Sequence, residues 1–262
     1  FFCSVNTVRI SADRDLQSSV LSSVAGISYN IDRRLYIFFR ERGMFMKYKS
    51  YLIAALLGAG LMAGASTASA YTGQGTMKGN DLDITYPIVF TQHPYAQRRI
   101  NDDLYRLVKD TFDSYADKEF VSAYMDYEVT YEDDDVISLL IHVSRYPEGA
   151  AHNWNETYGM VYNKRTGSRI PLSHYVRIKD AAQLQKALEE GKVQELDEAG
   201  DVQTFYKDGM FGVSELTDSY VLRKNGNIDL VYGPYGLGPY AAGTMTIPLN
   251  REAVAYFNNL NK

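Results

Sequence analysis

The run YMDYEVTYEDDDVISLLIHVSRY, residues 124–146, decides the fold class. Tyr124, Asp126, Glu128 and Thr130 alternate with Met125, Tyr127, Val129 and Tyr131. After the acidic residues 132–135, Ile137, Leu139, Ile141 and Val143 alternate with Val136, Ser138, Leu140, His142 and Ser144. A period of two sends successive side chains to opposite faces of a sheet, so both halves read as strands. The short polar break between them makes the pair a hairpin. The chain then continues as YPEGAAHNWNETYGMVYNKRTG, residues 146–167. Pro147, Gly149 and two alanines permit a tight bend, because small residues and Gly reach conformations closed to larger ones. Alternation resumes over residues 158–162, and residues 163–167 (NKRTG) form another turn, which predicts a third antiparallel strand.

Upstream, residues 81–90 (DLDITYPIVF) read as a strand interrupted by Pro87. Pro94 then opens a long helix. Ile100, Leu104, Leu107, Val108, Phe112 and Tyr115 share one face, while Arg98, Arg99, Asp102, Asp103, Arg106 and Lys109 take the other. Downstream, Asp180 caps a short helix with Leu184 and Leu188 inward, and Gly191 stops it. Asn225-Gly226 joins two further strands, residues 233–243 form a Gly/Tyr/Pro loop, and residues 244–249 form a closing strand. Asn250 caps a last helix with Val254 and Phe257 inward. Hairpins with helices set apart indicate an α+β protein: antiparallel sheets, one long amphipathic helix and shorter helices packed on them. We expect an N-terminal α+β subdomain over residues 71–165 and a C-terminal one over 166–262.

The chain of 262 residues is 45% hydrophobic and 23% charged, an ordinary globular composition. Its net charge of -5 is unevenly spread. Residues 71–262 hold 19 Lys/Arg against 28 Asp/Glu. An acidic body argues against nucleic acid and permits attraction to a cationic protein. Cys3 is the only cysteine, so no internal disulfide forms. Residues 1–43 do not begin with Met and show no clear period, and we expect them to be a non-translated or disordered extension. Residues 44–70 read as a signal peptide: Lys47 and Lys49, an apolar run over 51–65, then Ala68-Ser69-Ala70. Cleavage after Ala70 makes Tyr71 the first residue of an extracytoplasmic protein, periplasmic or secreted, with no stable membrane span. The alternative is an uncleaved anchor.

The chemistry-bearing residues spell out no reaction. The four histidines, His93, His142, His152 and His174, show no His-x-x-x-His spacing. Zinc assembled from His152, His142 and Glu156 is an alternative to a loop histidine that bonds its own turn. The acidic residues 132–135 lack the ligand spacing of an EF-hand and read as a solvated hairpin tip rather than a calcium site. Residues 111–114 (TFDS) superficially match a deacetylase motif but lie within the amphipathic helix. No nucleophile elbow, P-loop or Rossmann pattern stands out. We therefore expect no cofactor, no metal and no catalytic residues. Residues 71–262 hold 18 of the 22 tyrosines, with Tyr232, Tyr235 and Tyr240 in a loop of four glycines. Tyrosine offers rigid contact area with a polar tip, which suits protein or glycan recognition; covering a sheet end is the plainer role.

The Gly-Ala-Ala-His loop of residues 149–152, Thr166-Gly167 and Ile170-Pro171-Leu172 carry a resemblance. So does YGPYGLGPYAAG, residues 232–243, followed by Thr246-Ile247-Pro248. With Asn101 in the long helix, these resemble the extracytoplasmic domain pair of RsiV-type lysozyme-sensing anti-sigma factors and of PdaC-type peptidoglycan deacetylases, outside the catalytic domain of the latter. The usual loop is Gly-Gly-Ala-His, so Ala150 departs. The resemblance covers about residues 82–256. It implies a non-enzymatic binding protein of the cell envelope, toward a cationic lysozyme-like protein. A peptidoglycan glycan is the alternative ligand, and a metal-dependent hydrolase the third reading. We expect neither the sigma-binding segment of the anti-sigma factors nor a deacetylase domain. The expected binding residues are His152, Trp154, Glu156, Tyr235 and Tyr240.

Overall fold

The computed structural model describes residues 71–262. The expected extension, signal peptide and Cys3 lie outside the described residues. The first sheet has the order β1-β2-β3-β4-β5: β1 (Tyr71–Lys78), β2 (Leu82–Phe90), β3 (Ser122–Glu132), β4 (Val136–Tyr146) and β5 (Trp154–Asn163). All its neighbours are antiparallel except β2 and β3. Between those two the chain crosses over through α1 (Pro94–Ala116), because parallel neighbours cannot be joined by a hairpin. The crossover helix buries Ile100, Leu104 and Val108 against one sheet face, where Ile84, Met125, Ile137, Leu139, Ile141 and Val143 complete a core.

β2 pairs with β3 only from Leu82 to Ile84. Beyond that point its inner edge is free of strand pairing, which lets Pro87 sit inside the strand without losing a ladder bond. Asn101 of α1 takes the vacant place: its side chain accepts the Val89 N–H and donates to the Val89 carbonyl, both at 2.9 Å. The helix thus serves β2 as a substitute strand at one residue.

The second sheet has the order β7-β6-β10-β9-β8 and is antiparallel throughout. Its strands are β6 (Glu195–Leu196), β7 (Val202–Gln203), β8 (Tyr220–Leu222), β9 (Ile228–Tyr232) and β10 (Met245–Leu249). Helices α2 (Ala181–Glu189) and α3 (Arg251–Leu260) join its core through Leu184, Leu188, Ala253 and Phe257. Asp180 and Asn250 cap them by accepting the N–H groups of Gln183 and Ala253.

Val221 and Val231 of the second sheet meet Leu140 on the far face of the first. β8 crosses β5 at Gly159, where a Cβ would stand 2.5 Å from the Tyr220 carbonyl oxygen. Only a residue without a side chain allows two backbones this close. The Ser219 hydroxyl accepts the Gly159 N–H at 2.6 Å and ties the crossing together. Away from the crossing the facing surfaces turn polar and diverge, leaving a groove.

Candidate functional site

Two loops meet at one end of that groove. The first follows β4. Ala150 N–H donates to the Pro147 carbonyl, with Gly149 at φ 75°, and the Tyr146 hydroxyl donates to the Ala150 carbonyl. This tight turn delivers His152. The second loop lies between β9 and β10. Leu237 is fully buried and anchors it in the second core. Ahead of that anchor Gly236 N–H donates to the Gly233 carbonyl across Pro234 and Tyr235. Tyr235 has φ 69°, a position in such a turn normally held by Gly. A tyrosine in the left-handed region is strained, so the surrounding contacts must hold it there.

Those contacts converge on His152. Its ring stacks on Tyr240 with centroids 3.9 Å apart, and Tyr235 lies tilted at 5.8 Å from Tyr240. His152 Nδ1 lies 2.9 Å from the Asn153 carbonyl, which can only accept, so Nδ1 carries the proton. In the neutral ring Nε2 is then an acceptor, and the Tyr235 hydroxyl donates to it at 3.3 Å. The Tyr240 hydroxyl donates to the Asn153 carbonyl and accepts from Asn155 Nδ2. Residues more than 80 positions apart are therefore knit into one aromatic cluster. Tyr235 remains 59% exposed.

Trp154 and Glu156 stand apart from this cluster. Asn155 faces the groove, so alternation along β5 turns its two neighbours to the α1 face. There Trp154, also 59% exposed, meets the Phe120 ring edge-on at 5.4 Å. Glu156 lies 3.0 Å from Arg145, which also binds Asp110 and spreads over Phe120. Its negative charge and burial push the neighbouring Tyr158 hydroxyl up to about 12, burial being the larger cause. Of the five expected binding residues, the structure unites His152, Tyr235 and Tyr240 and places Trp154 and Glu156 on another surface.

The groove beside the cluster has a volume of about 650 Å³. Asp126, His142 and Thr157 stand side by side across its floor on three adjacent strands. Thr157 and Thr244 bridge the two sheets through their hydroxyls at 2.6 Å, and His142 Nδ1 joins Thr157 at 3.3 Å. Sequence reasoning missed Asp126, Thr157 and Thr244 because their shared position depends on strand register and on the sheet crossing. Among the described residues no group of three His, Cys, Asp or Glu could hold a metal ion. The acidic hairpin tip is engaged by protein cations: the buried Lys164 ammonium binds Glu132 at 2.9 Å and the Asp133 carbonyl, and Arg165 binds Asp135. No described helix is long and apolar enough to cross a membrane.

No protein-family model and no curated protein matches the sequence. Solved structures do. A member of the DUF3298 family from Bacteroides fragilis aligns with a TM-score of 0.50 at 14% identity, over 74% of this chain and 95% of that one. A DUF3298 family protein from Pseudomonas aeruginosa aligns with a TM-score of 0.47 at 16% identity, over 68% and 88%. The structural neighbours are thus proteins of a domain family of unknown function, and the first of them shares this α+β fold.

Proposed function

We propose that this chain is an exported, RsiV-like binding protein of the cell envelope that acts without catalysis and takes a cationic, lysozyme-like protein as its partner. The observation that carries this reading is Tyr235. It stands exposed in a strained turn, braced by His152 and Tyr240, on a body of net negative charge. Rigid, projecting aromatic side chains are the anchors of protein interfaces, and they lose little rotamer freedom when bound. Acidic surroundings steer a basic partner toward the anchor without themselves fixing it. The signal-peptide reading of residues 44–70 supplies the compartment. Purified protein immobilised on a sensor and exposed to an animal lysozyme tests the proposal. Saturable binding that persists at physiological salt supports it, since exposed charges more than about 8 Å apart are screened there. Binding that disappears with salt reduces the interaction to bulk charge attraction and rejects the reading.

A further inference from the structure

We infer that the groove between the two sheets is a saccharide-binding site, distinct from the protein-docking role of the loop at its rim. Two rungs of the first sheet form one wall. Asp126, His142 and Thr157 make one rung; Tyr124, Ser144 and Asn155 make the next. Every side chain that these rungs present to the groove is polar. The opposite wall supplies Glu198 and Thr244. The groove continues into a second hollow of about 820 Å³, which shares His142, Glu198 and Thr244 with the first. The combined cleft is long, open and hydrophilic.

The internal bonding of the walls decides what would enter. Asn153 Nδ2 gives one N–H to Ser144 and Asn155 Nδ2 one to Tyr240, and the Thr157 hydroxyl is engaged by Thr244 and His142. The Asp126 and Glu198 carboxylates remain as acceptors, while Lys224, Asn225 and Asn227 of the second hollow are donors. Neither Asp126 nor Glu198 is paired with a basic side chain among the described residues. A ligand must therefore bring hydrogen-bond donors to the carboxylates and acceptors to the N–H groups of the second hollow. Apolar molecules find too few apolar partners here, because orientation and affinity in such a cleft come from convergent polar groups. A single small cation would fill only part of the length. An oligosaccharide meets each demand: its hydroxyls donate to carboxylates, it is extended, and its C–H faces stack on aromatic rings. Tyr124 offers such a ring, 44% exposed on the groove face and with its hydroxyl unused among the described residues.

The test is a titration of the purified protein with N-acetylchitotetraose and, separately, cellotetraose, followed by two-dimensional NMR. Binding of either, with shifts confined to the groove-facing residues of β3, β4 and β5 and to the opposite wall at Glu198 and Thr244, supports the inference. Tyr124→Ala and the pair Asp126→Asn with Glu198→Gln should each weaken it about tenfold or more, the effect of losing bonds to charged acceptors or a stacking ring. Tyr124 and Asp126 are exposed, so the fold tolerates these changes, and unchanged circular dichroism checks that. Trp154→Ala, on the other face, should leave the affinity unchanged. The inference is overturned if neither tetrasaccharide shifts the spectrum at millimolar concentration. It is equally overturned if the groove variants bind as well as the parent, or if Trp154→Ala abolishes binding. Lysozyme binding by Tyr235 stands or falls independently of all these outcomes.

Discussion

Tyr235 is the residue on which the binding proposal turns, and its backbone provides a test of its purpose. At φ 69° a glycine would sit without steric penalty, whereas an L-residue pays about 1–2 kcal/mol. Tyr235→Gly should therefore leave the urea midpoint equal to or above the parent's while weakening partner binding. A clearly lower midpoint would mean that the ring is structural cover rather than a presented anchor. A second residue sets a pH dependence. Glu195 is fully buried on β6, and neither carboxylate oxygen has a hydrogen-bond partner among the described residues. Desolvation raises its pKa, and the nearby backbone N–H groups of Tyr206 and Phe205 only partly oppose this. The folded state then binds the proton more tightly than the unfolded chain. Stability falls as pH rises from the ordinary carboxylate range through the raised folded value. Glu195→Gln should raise the melting temperature at pH 7, and the gain should vanish in acid below the ordinary carboxylate range. Melting curves at several pH values check this.

At the scale of elements, the legible parts were those where pattern and local chemistry agree. The β3–β4 hairpin, α1 beginning at Pro94, and the capped helices α2 and α3 all follow from alternation, helical spacing and cap residues. β1 was not foreseen, because YTGQGTMK has no apolar alternation; it exists through pairing with β2 along its whole length. The two-residue strands β6 and β7 carry too little sequence to signal anything. β5 begins at Trp154, four residues ahead of the clear alternation, because β4 offers partners as far as Arg145. At the hairpin tip the run of acids read as solvated, but Lys164 reaches it from beyond the end of β5 with its side chain only 1% exposed. Glu132→Gln leaves that buried ammonium without its counter-charge. The loss of stability should be about 3 kcal/mol, measured by urea unfolding. Lys164→Met, which removes the charge itself, should cost less.

At the scale of the whole molecule, the site is a product of how two sheets cross. The aromatic loop, the groove and the Thr157–Thr244 bridge all need β8 to lie against β5 at Gly159. A sequence shows both loops but not their meeting, since the contacts join residues more than 80 positions apart. Trp154 illustrates the same limit: it is two residues from His152, yet the alternation of β5 carries it to the α1 face. Gly159→Ala forces a methyl against the Tyr220 backbone. It should cost about 1–3 kcal/mol by overpacking, read as a lower melting temperature. The central claim is that the His152–Tyr235–Tyr240 cluster is a protein-docking surface. Calorimetric titration with an animal lysozyme at physiological salt, comparing the parent with Tyr235→Ala and Trp154→Ala, tests it most directly. The account predicts saturable binding by the parent, about tenfold or greater weakening in Tyr235→Ala, and parent-like affinity in Trp154→Ala. Absence of binding by the parent, or equal binding by Tyr235→Ala, would contradict it.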